Sequence, residues 1–281
     1  MKLARFEHAG RIGPCVVIDQ SIIDLSSSWE TVLDIIRAGP EALKAITVKL
    51  ATAPETIPLA AARLLAPIER PGKYLAIGMN YRKHVEEAAR LGQAPPTKQF
   101  WFNKQTSCLN GPFDSVSTGV TQELDYEVEL GIVIGSAAKN VQAQDALSHV
   151  FGYFVANDVS ARDWQRHSPT FTMGKSFDTH GPIGPWIVTA DEVTNPQDLE
   201  LRCLVNGQPR QASNTRHMVH TVADQIAYLS TAFTLEPGDL IATGTPEGVG
   251  IAMQPPSFLQ PGDIVRCEID SIGAIENPIT A

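Results

Sequence analysis

Apolar positions along this 281-residue chain recur with two periods, and the shorter one dominates. From residue 98 onward, runs rich in Val, Ile and Phe alternate with Gly, Pro and Asn-Asp punctuation: FWFNK, LDYEVELGIVIG, VFGYFVANDV, IGPWIVTA, LELRCLVNG, LIATGT and IVRCEI. Only two helical patterns interrupt them, around QAQDALSHV and MVHTVADQIAYLSTAF. Many strands with few crossovers predict a mainly β domain of the α+β class, a sandwich or rolled barrel, and argue against a doubly wound α/β sheet.

Upstream the pattern is mixed. Residues 3–25 read as short strands, with Gly10, Gly13 and Pro14 marking a turn and CVVIDQSIIDL forming a hairpin arm. Ser28 reads as the cap of a helix in WETVLDIIRAG, closed by Gly39 and Pro40, and EALKAITVKLA as a second helix. Prolines at 54, 58, 67 and 71 mark the passage from a small N-terminal α/β domain, residues 1–70, into the main domain, residues 71–281. There KYLAIGMNY reads as a buried strand and YRKHVEEAARLG as a helix ended by Gly92.

Composition narrows the function classes. With 43% hydrophobic and 19% charged residues the chain is a folded globular protein. Its net charge of -9 argues against nucleic acid or an anionic membrane surface as partner, but not against an anionic substrate where a bound metal reverses the local sign. MKLARFEHAG lacks the apolar core of a signal peptide, and no run reaches the ~20 apolar residues of a membrane span, so a cytoplasmic location is expected. Cys15, Cys108, Cys203 and Cys267 include no CxxC pair and read as buried free thiols.

The chemistry concentrates in a few segments. In a strand over LDYEVELGIVIG, Tyr126, Val128, Leu130 and Ile132 share one face, and Asp125, Glu127 and Glu129 the other. Carboxylates side by side on a central strand cost several kcal/mol unless a cation neutralises them. An edge strand with a solvated acidic face is the plain alternative. VFGYFVANDVSARDWQ ends its apolar run on Asn157 and Asp158, a strand-end position suited to a ligand and equally to a turn. Three carboxylate ligands select Mg2+ or Mn2+, with Ca2+ a further candidate, over zinc or copper. His84 and Glu87 lie three residues apart on a predicted helix, as a general base held by a carboxylate requires, and a solvated surface pair has the same spacing. Glu86 is adjacent, but the spacing favours Glu87. Lys175, in TMGKSFDTHGPIGPW, could meet a carboxylate or a developing enolate, and ATGTPEGVG presents Thr243, Thr245 and Glu247 among glycines without matching a dinucleotide or phosphate-loop pattern.

Taken in order, GMNYRKHVEEA, DYEVELGIVIG, GYFVANDVSARDWQ, MGKSFDTHGPIGP and ATGTPEGVG resemble the fumarylacetoacetate hydrolase family over residues 72–281, in its acylpyruvase and 2-keto acid hydrolase-decarboxylase branch. Residues 1–70 resemble the shorter N-terminal domain of many members. The resemblance implies a mixed β-sandwich roll, commonly a homodimer. It implies metal ligands at Glu127, Glu129 and Asp158, a catalytic set of His84, Glu87 and Lys175, and substrate contacts from Arg162, Gln165, Lys175 and Thr245. YLAIGMNY offers no fourth acidic ligand, so the three-carboxylate form is expected, with Asp125 as a possible supporting group.

The activity so implied is Mg- or Mn-dependent hydrolysis of a C-C bond in a 2,4-diketo acid through a pyruvate enolate, His84 with Glu87 activating water. Oxaloacetate-type decarboxylation and keto-enol or double-bond isomerisation use the same groups. A non-catalytic binding protein with this fold is the reading from a different class. For the substrate's far end the candidates are Phe100, Trp101, Phe102, the segment ASNTRHMVH, and His167, His217 and His220.

Overall fold

The computed structural model describes residues 1–52 and 55–281, so Pro54, one of the four linker prolines, lies outside the described residues. A twelve-stranded sheet forms the spine of the molecule. Along its path run Ile57–Pro58, Ser21–Asp24, Arg11–Ile18, Lys2–His8, Gly181–Thr189, Val150–Asn157, Val128–Ile134, Leu240–Ala242, Tyr74–Gly78 and Phe100–Asn103. Neighbours on this path are antiparallel except Leu240–Ala242 beside Tyr74–Gly78. A second sheet of five strands orders Gln208–Asn214, Glu200–Val205, Ile264–Ile269, Gly273–Thr280 and Val116–Ser117.

Strand alternation decides the layering. Val128, Leu130 and Ile132, on one face of the central strand, share a core with Leu201, Cys203, Val265 and Cys267 of the second sheet and with Ile226 and Leu229 of the helix Val222–Ala232. On the opposite face, Val133, Phe154 and Ile187 pack with Ile35, Ile36 and Ile46 of the helices Val32–Ala38 and Pro40–Ala51. Each such side chain contributes roughly 1.5–3 kcal/mol by burial, and the large sheet, covered on both faces, is held flat-on between the two cores. This is the mixed β sandwich that the apolar runs predict. Residues 1–70 do not stand apart from it, because Lys2 and Leu3 pair with Val188 and Ile187 and carry the sheet across the 70/71 boundary. The four cysteines are free and buried, as expected. No helix among the described residues is long and apolar enough to cross a membrane.

Local chemistry corrects three sequence readings. The first helix is capped by Thr31, not Ser28, because Asp34 three residues on returns the bond and completes a capping box. The first turn falls at Ala9 and Gly10, both with positive φ, while Gly13 and Pro14 lie inside the strand Arg11–Ile18. LDYEVELGIVIG is two strands: Leu124–Asp125 pairs with Ser160–Ala161, and Val128–Ile134 enters the main sheet. Between them the backbone leaves the ladder, and side chains satisfy its buried amides. Tyr126 N donates to Asp125 Oδ1 at 2.9 Å, Glu127 N to Asn157 Oδ1 at 3.0 Å and Val128 N to Gln211 Oε1 at 2.9 Å.

One glycine ties this strand to its neighbour. Gly131 lies opposite Phe154, and a Cβ there would stand 2.2 Å from the Phe154 ring. Gly131→Ala is expected to cost about 1–3 kcal/mol by overpacking. Chemical denaturation of the variant checks this, and an unchanged midpoint would show that the ring relocates freely.

Candidate active site

Strand ends, the helix Arg82–Arg90 and the short helix Arg162–Gln165 converge on a cleft of about 830 Å3, counted out to its open mouth. His84, Glu87, Glu127, Glu129, Arg162, Gln165, Lys175 and Thr245 all line it. Asp158 does not; it is fully buried beneath the floor, one residue past the strand Val150–Asn157. The sequence-predicted set is thus brought together, with one member in the layer below.

The floor is a network of buried charge. Lys175 Nζ stands 2.7 Å from both Glu127 Oε2 and Asp158 Oδ2. Arg162 reaches Asp125 Oδ2 through Nε at 2.8 Å and Glu127 Oε1 through Nη2 at 2.7 Å. Its Nη1 donates to Gln165 Oε1 at 3.1 Å. Asp125 also accepts from Gly250 N and Ile251 N, so the residue without an inherited role is the group that fixes Arg162. Lys104, which sequence reading passed over, is fully buried and donates to Asp158 Oδ1 at 2.6 Å, to His180 O at 3.0 Å and to Lys175 O. Its signal was a single lysine closing the apolar run FWFNK, at the end of the strand Phe100–Asn103.

Four carboxylates therefore face three cations, and the uncompensated one is Glu129. Burial and the Asp158 and Glu127 carboxylates push Glu129 well above the usual carboxylate range, against Lys175 and a hydrogen bond from Gly244 N at 2.8 Å. Burial raises Glu127 too, but Lys175, Arg162 and His84 outweigh it and hold that carboxyl down at about 2. One oxygen from each of Glu127, Glu129 and Asp158 lies within 4.8 Å of the others. Hard oxygen donors at this spacing, with one carboxylate left short of positive charge, fit a divalent cation such as Mg2+ or Mn2+.

The His84–Glu87 pair sits on the helix Arg82–Arg90 at the cleft wall. His84 Nδ1 is 3.0 Å from Glu87 Oε2, and Glu87 Oε1 accepts from Gly248 N at 3.0 Å, tying the helix to the glycine-rich turn. Glu86 points to solvent, which settles the choice between the two glutamates. In that turn Gly244 and Gly248 adopt positive φ, and Thr245 donates its hydroxyl hydrogen to Val128 O at 3.0 Å while accepting from Gln211 at 2.8 Å. What Thr245 Oγ can still offer a ligand is a lone pair. Gln211, not singled out in the sequence, holds both Thr245 and the strand break, and nothing in its local pattern marks it. Of the far-end candidates Phe100 and Phe102 line the cleft, whereas Trp101 packs on the inter-sheet core and none of His167, His217 and His220 lines it.

Residues 73–280 match the family described as Fumarylacetoacetate (FAA) hydrolase C-terminal. The chain is similar to the oxaloacetate tautomerase FAHD2A, mitochondrial, of Bos taurus, with 39% identity over 290 residues, 99% of this chain and 91% of the relative. Among solved structures it resembles a fumarylacetoacetate hydrolase from Exiguobacterium antarcticum, with a TM-score of 0.88, 38% identity and coverage of 100% and 99% of the two chains. A maleylpyruvate hydrolase from Sphingobium sp. SYK-6, solved in complex with manganese (II) ion and pyruvate, has a TM-score of 0.82 and 33% identity over 100% of this chain and 99% of that one.

The floor also sets acid stability through His180, whose carbonyl accepts from Lys104. The ring is fully buried, with Nε2 2.8 Å from Ser117 O and, among the described residues, no partner at Nδ1, and burial lowers its pKa to about 4. Between its ordinary value near 6.5 and 4 the unfolded chain takes up a proton that the folded chain refuses, so stability falls as pH falls, by on the order of 3 kcal/mol across that window. His180→Gln is expected to flatten this slope in urea unfolding measured from pH 7 to pH 4; an unaltered slope would assign the acid sensitivity elsewhere.

Proposed function

Because the chain belongs to the fumarylacetoacetate hydrolase family, we propose that it is a divalent-metal-dependent enzyme that transfers a proton at C3 of a small 2-keto acid, interconverting keto and enol forms of an oxaloacetate-like substrate. The observation that carries this reading is the placement of the His84–Glu87 pair and the Glu127, Glu129, Asp158 cluster in and beneath one cleft. Glu127, Glu129 and Asp158 would hold the cation. When bound, it supplies Lewis acidity that draws electron density from the 2-keto group and makes the C3 proton acidic.

The chain's own groups divide the remaining work. Glu87 engages Nδ1 of His84 and leaves Nε2 to accept a proton in the cleft. Gln165, whose Oε1 is taken by Arg162, keeps its Nε2 hydrogens for a substrate carboxylate. Lys175 is held between Glu127 and Asp158 and stabilises negative charge growing on the substrate's oxygen, a role that typically contributes a few kcal/mol. Closed between the two cores, the floor has little freedom to reorganise as that charge develops, so the stabilisation is already in place.

A second reading, cleavage of a 2,4-diketo acid by water, draws support from the similarity to a maleylpyruvate hydrolase whose structure holds manganese and pyruvate. There His84 would take its proton from water and not from C3. The two readings separate in one panel: oxaloacetate followed by decay of its enol, and acetylpyruvate and maleylpyruvate followed by pyruvate release. Enol decay without pyruvate release is the outcome expected here, and the reverse result would replace the tautomerase reading with the hydrolytic one.

EDTA is expected to abolish turnover, and added Mg2+ or Mn2+ to restore it; turnover surviving thorough chelation would remove the metal from the proposal. His84→Ala should lower kcat by about 10²- to 10⁴-fold with a smaller change in KM. Full activity in that variant would exclude His84 as the base.

A further inference from the structure

Three arginine and lysine side chains line the cleft, and two of them are already committed. Lys175 is held by Glu127 and Asp158, and Arg162 by Asp125 and Glu127, all of them buried carboxylates. The third is Arg166. Its Nη2 donates to Glu123 Oε2 at 2.8 Å, and the two side chains are 59% and 29% exposed. An exposed pair of this kind holds its partners weakly, because solvent screens the charges and long side chains lose freedom in forming it. Arg166 can therefore exchange Glu123 for an incoming anion, as Arg162 and Lys175 cannot.

Its place in the cleft says where that anion lies. Arg166 follows the short helix Arg162–Gln165 with helical backbone angles, four residues beyond Arg162 and next to Gln165. Four residues of helix advance about 6 Å, so the exposed Arg166 stands about one turn beyond the buried Arg162, where it can meet the far end of a small ligand whose first carboxylate rests at the Gln165 amide that Arg162 holds. A guanidinium recognises a carboxylate through two parallel N-H bonds, a contact that a neutral acyl group does not make.

We propose that Arg166 is the specificity-determining residue of this cleft, selecting 2-keto acids that carry a second, distal carboxylate over those with a neutral far end. The assignment rests on the 2-keto acid reading above and narrows its substrate class to dicarboxylates. Phe100, Phe102 and Phe171 form the apolar wall along which the carbon chain lies.

The test compares oxaloacetate with its C4 methyl ester, which lacks the distal charge and carries an added methyl group; taking the ratio in each variant against the parent protein cancels the intrinsic difference in C3-H acidity. In Arg166→Gln the ratio of kcat/KM for oxaloacetate over the ester is expected to fall roughly 10- to 100-fold, mainly through KM, and Arg166→Lys to recover part of it. Glu123→Gln removes the resting partner while leaving the guanidinium, and is expected to keep the ratio at or above that of the parent protein. An unchanged ratio in Arg166→Gln, or an equal fall in Glu123→Gln, overturns the assignment. Calorimetric titration of the same proteins with both compounds separates this outcome from a failure of the functional reading. If the parent protein turns over neither compound, the tautomerase reading falls, and the preference in binding still decides the role of Arg166.

Discussion

The structure is organised around a single electrostatic constraint: four carboxylates, Asp125, Glu127, Glu129 and Asp158, are buried together, and bare carboxylates cannot stay ionised side by side away from water. Three buried cations answer three of them. Lys104 and Lys175 hold Asp158 from two sides, Lys175 and Arg162 hold Glu127, and Arg162 also binds Asp125. Among the described residues Glu129 is left with the Gly244 amide and no cation in contact. The unequal result, one carboxyl held low and its neighbour pushed high, leaves a charge imbalance that a further cation at Glu127, Glu129 and Asp158 would relieve.

The fold meets this constraint by breaking a strand. A continuous ladder through Tyr126, Glu127 and Val128 would pair their amides with a neighbouring strand; instead Asp125, Asn157 and Gln211 respectively supply side-chain acceptors. The break separates a two-stranded piece that carries Asp125 from the main sheet that carries Glu129. It also brings Glu127 and Asp158 together through the bond from Asp158 N to Glu127 O at 2.9 Å. Unpaired, each of those buried amides would cost about 1–3 kcal/mol, so Gln211 and Asn157 matter to the site without facing a ligand.

The same arrangement explains why one cleft serves a range of reactions on related proteins. On the proposed reading the floor would hold what 2-keto acids share, a carboxylate beside a carbonyl, and would stabilise the negative charge that appears when a proton, an acyl group or carbon dioxide leaves C3. Which of these departs would then depend on what His84 meets and on Arg166, the more exposed cation of the cleft. Shared chemistry would thus reside in the buried layer, and selectivity with the exposed Arg166.

Much of this was legible without coordinates, because periodicity is a local property. The alternation around Val128, Leu130 and Ile132 showed which face enters the core, the i, i+3 spacing paired His84 with Glu87, and the apolar run before Asp158 placed that acid at a strand end. The resemblance of five ordered segments then joined residues that periodicity treats separately. Lys104 and Gln211 stayed hidden, since a lysine and a glutamine become significant only through partners 54 and 83 residues away, Asp158 and Val128. The strand break, the placement of Asp158 beneath the floor and the freedom of Arg166 beside the fixed Arg162 likewise follow from how distant segments share buried charge. Periodicity along the chain reveals which faces are buried and which residue types carry the chemistry; which charges neutralise one another and which remain for a ligand emerges only on folding, because charge compensation is set by distance in space and not along the chain.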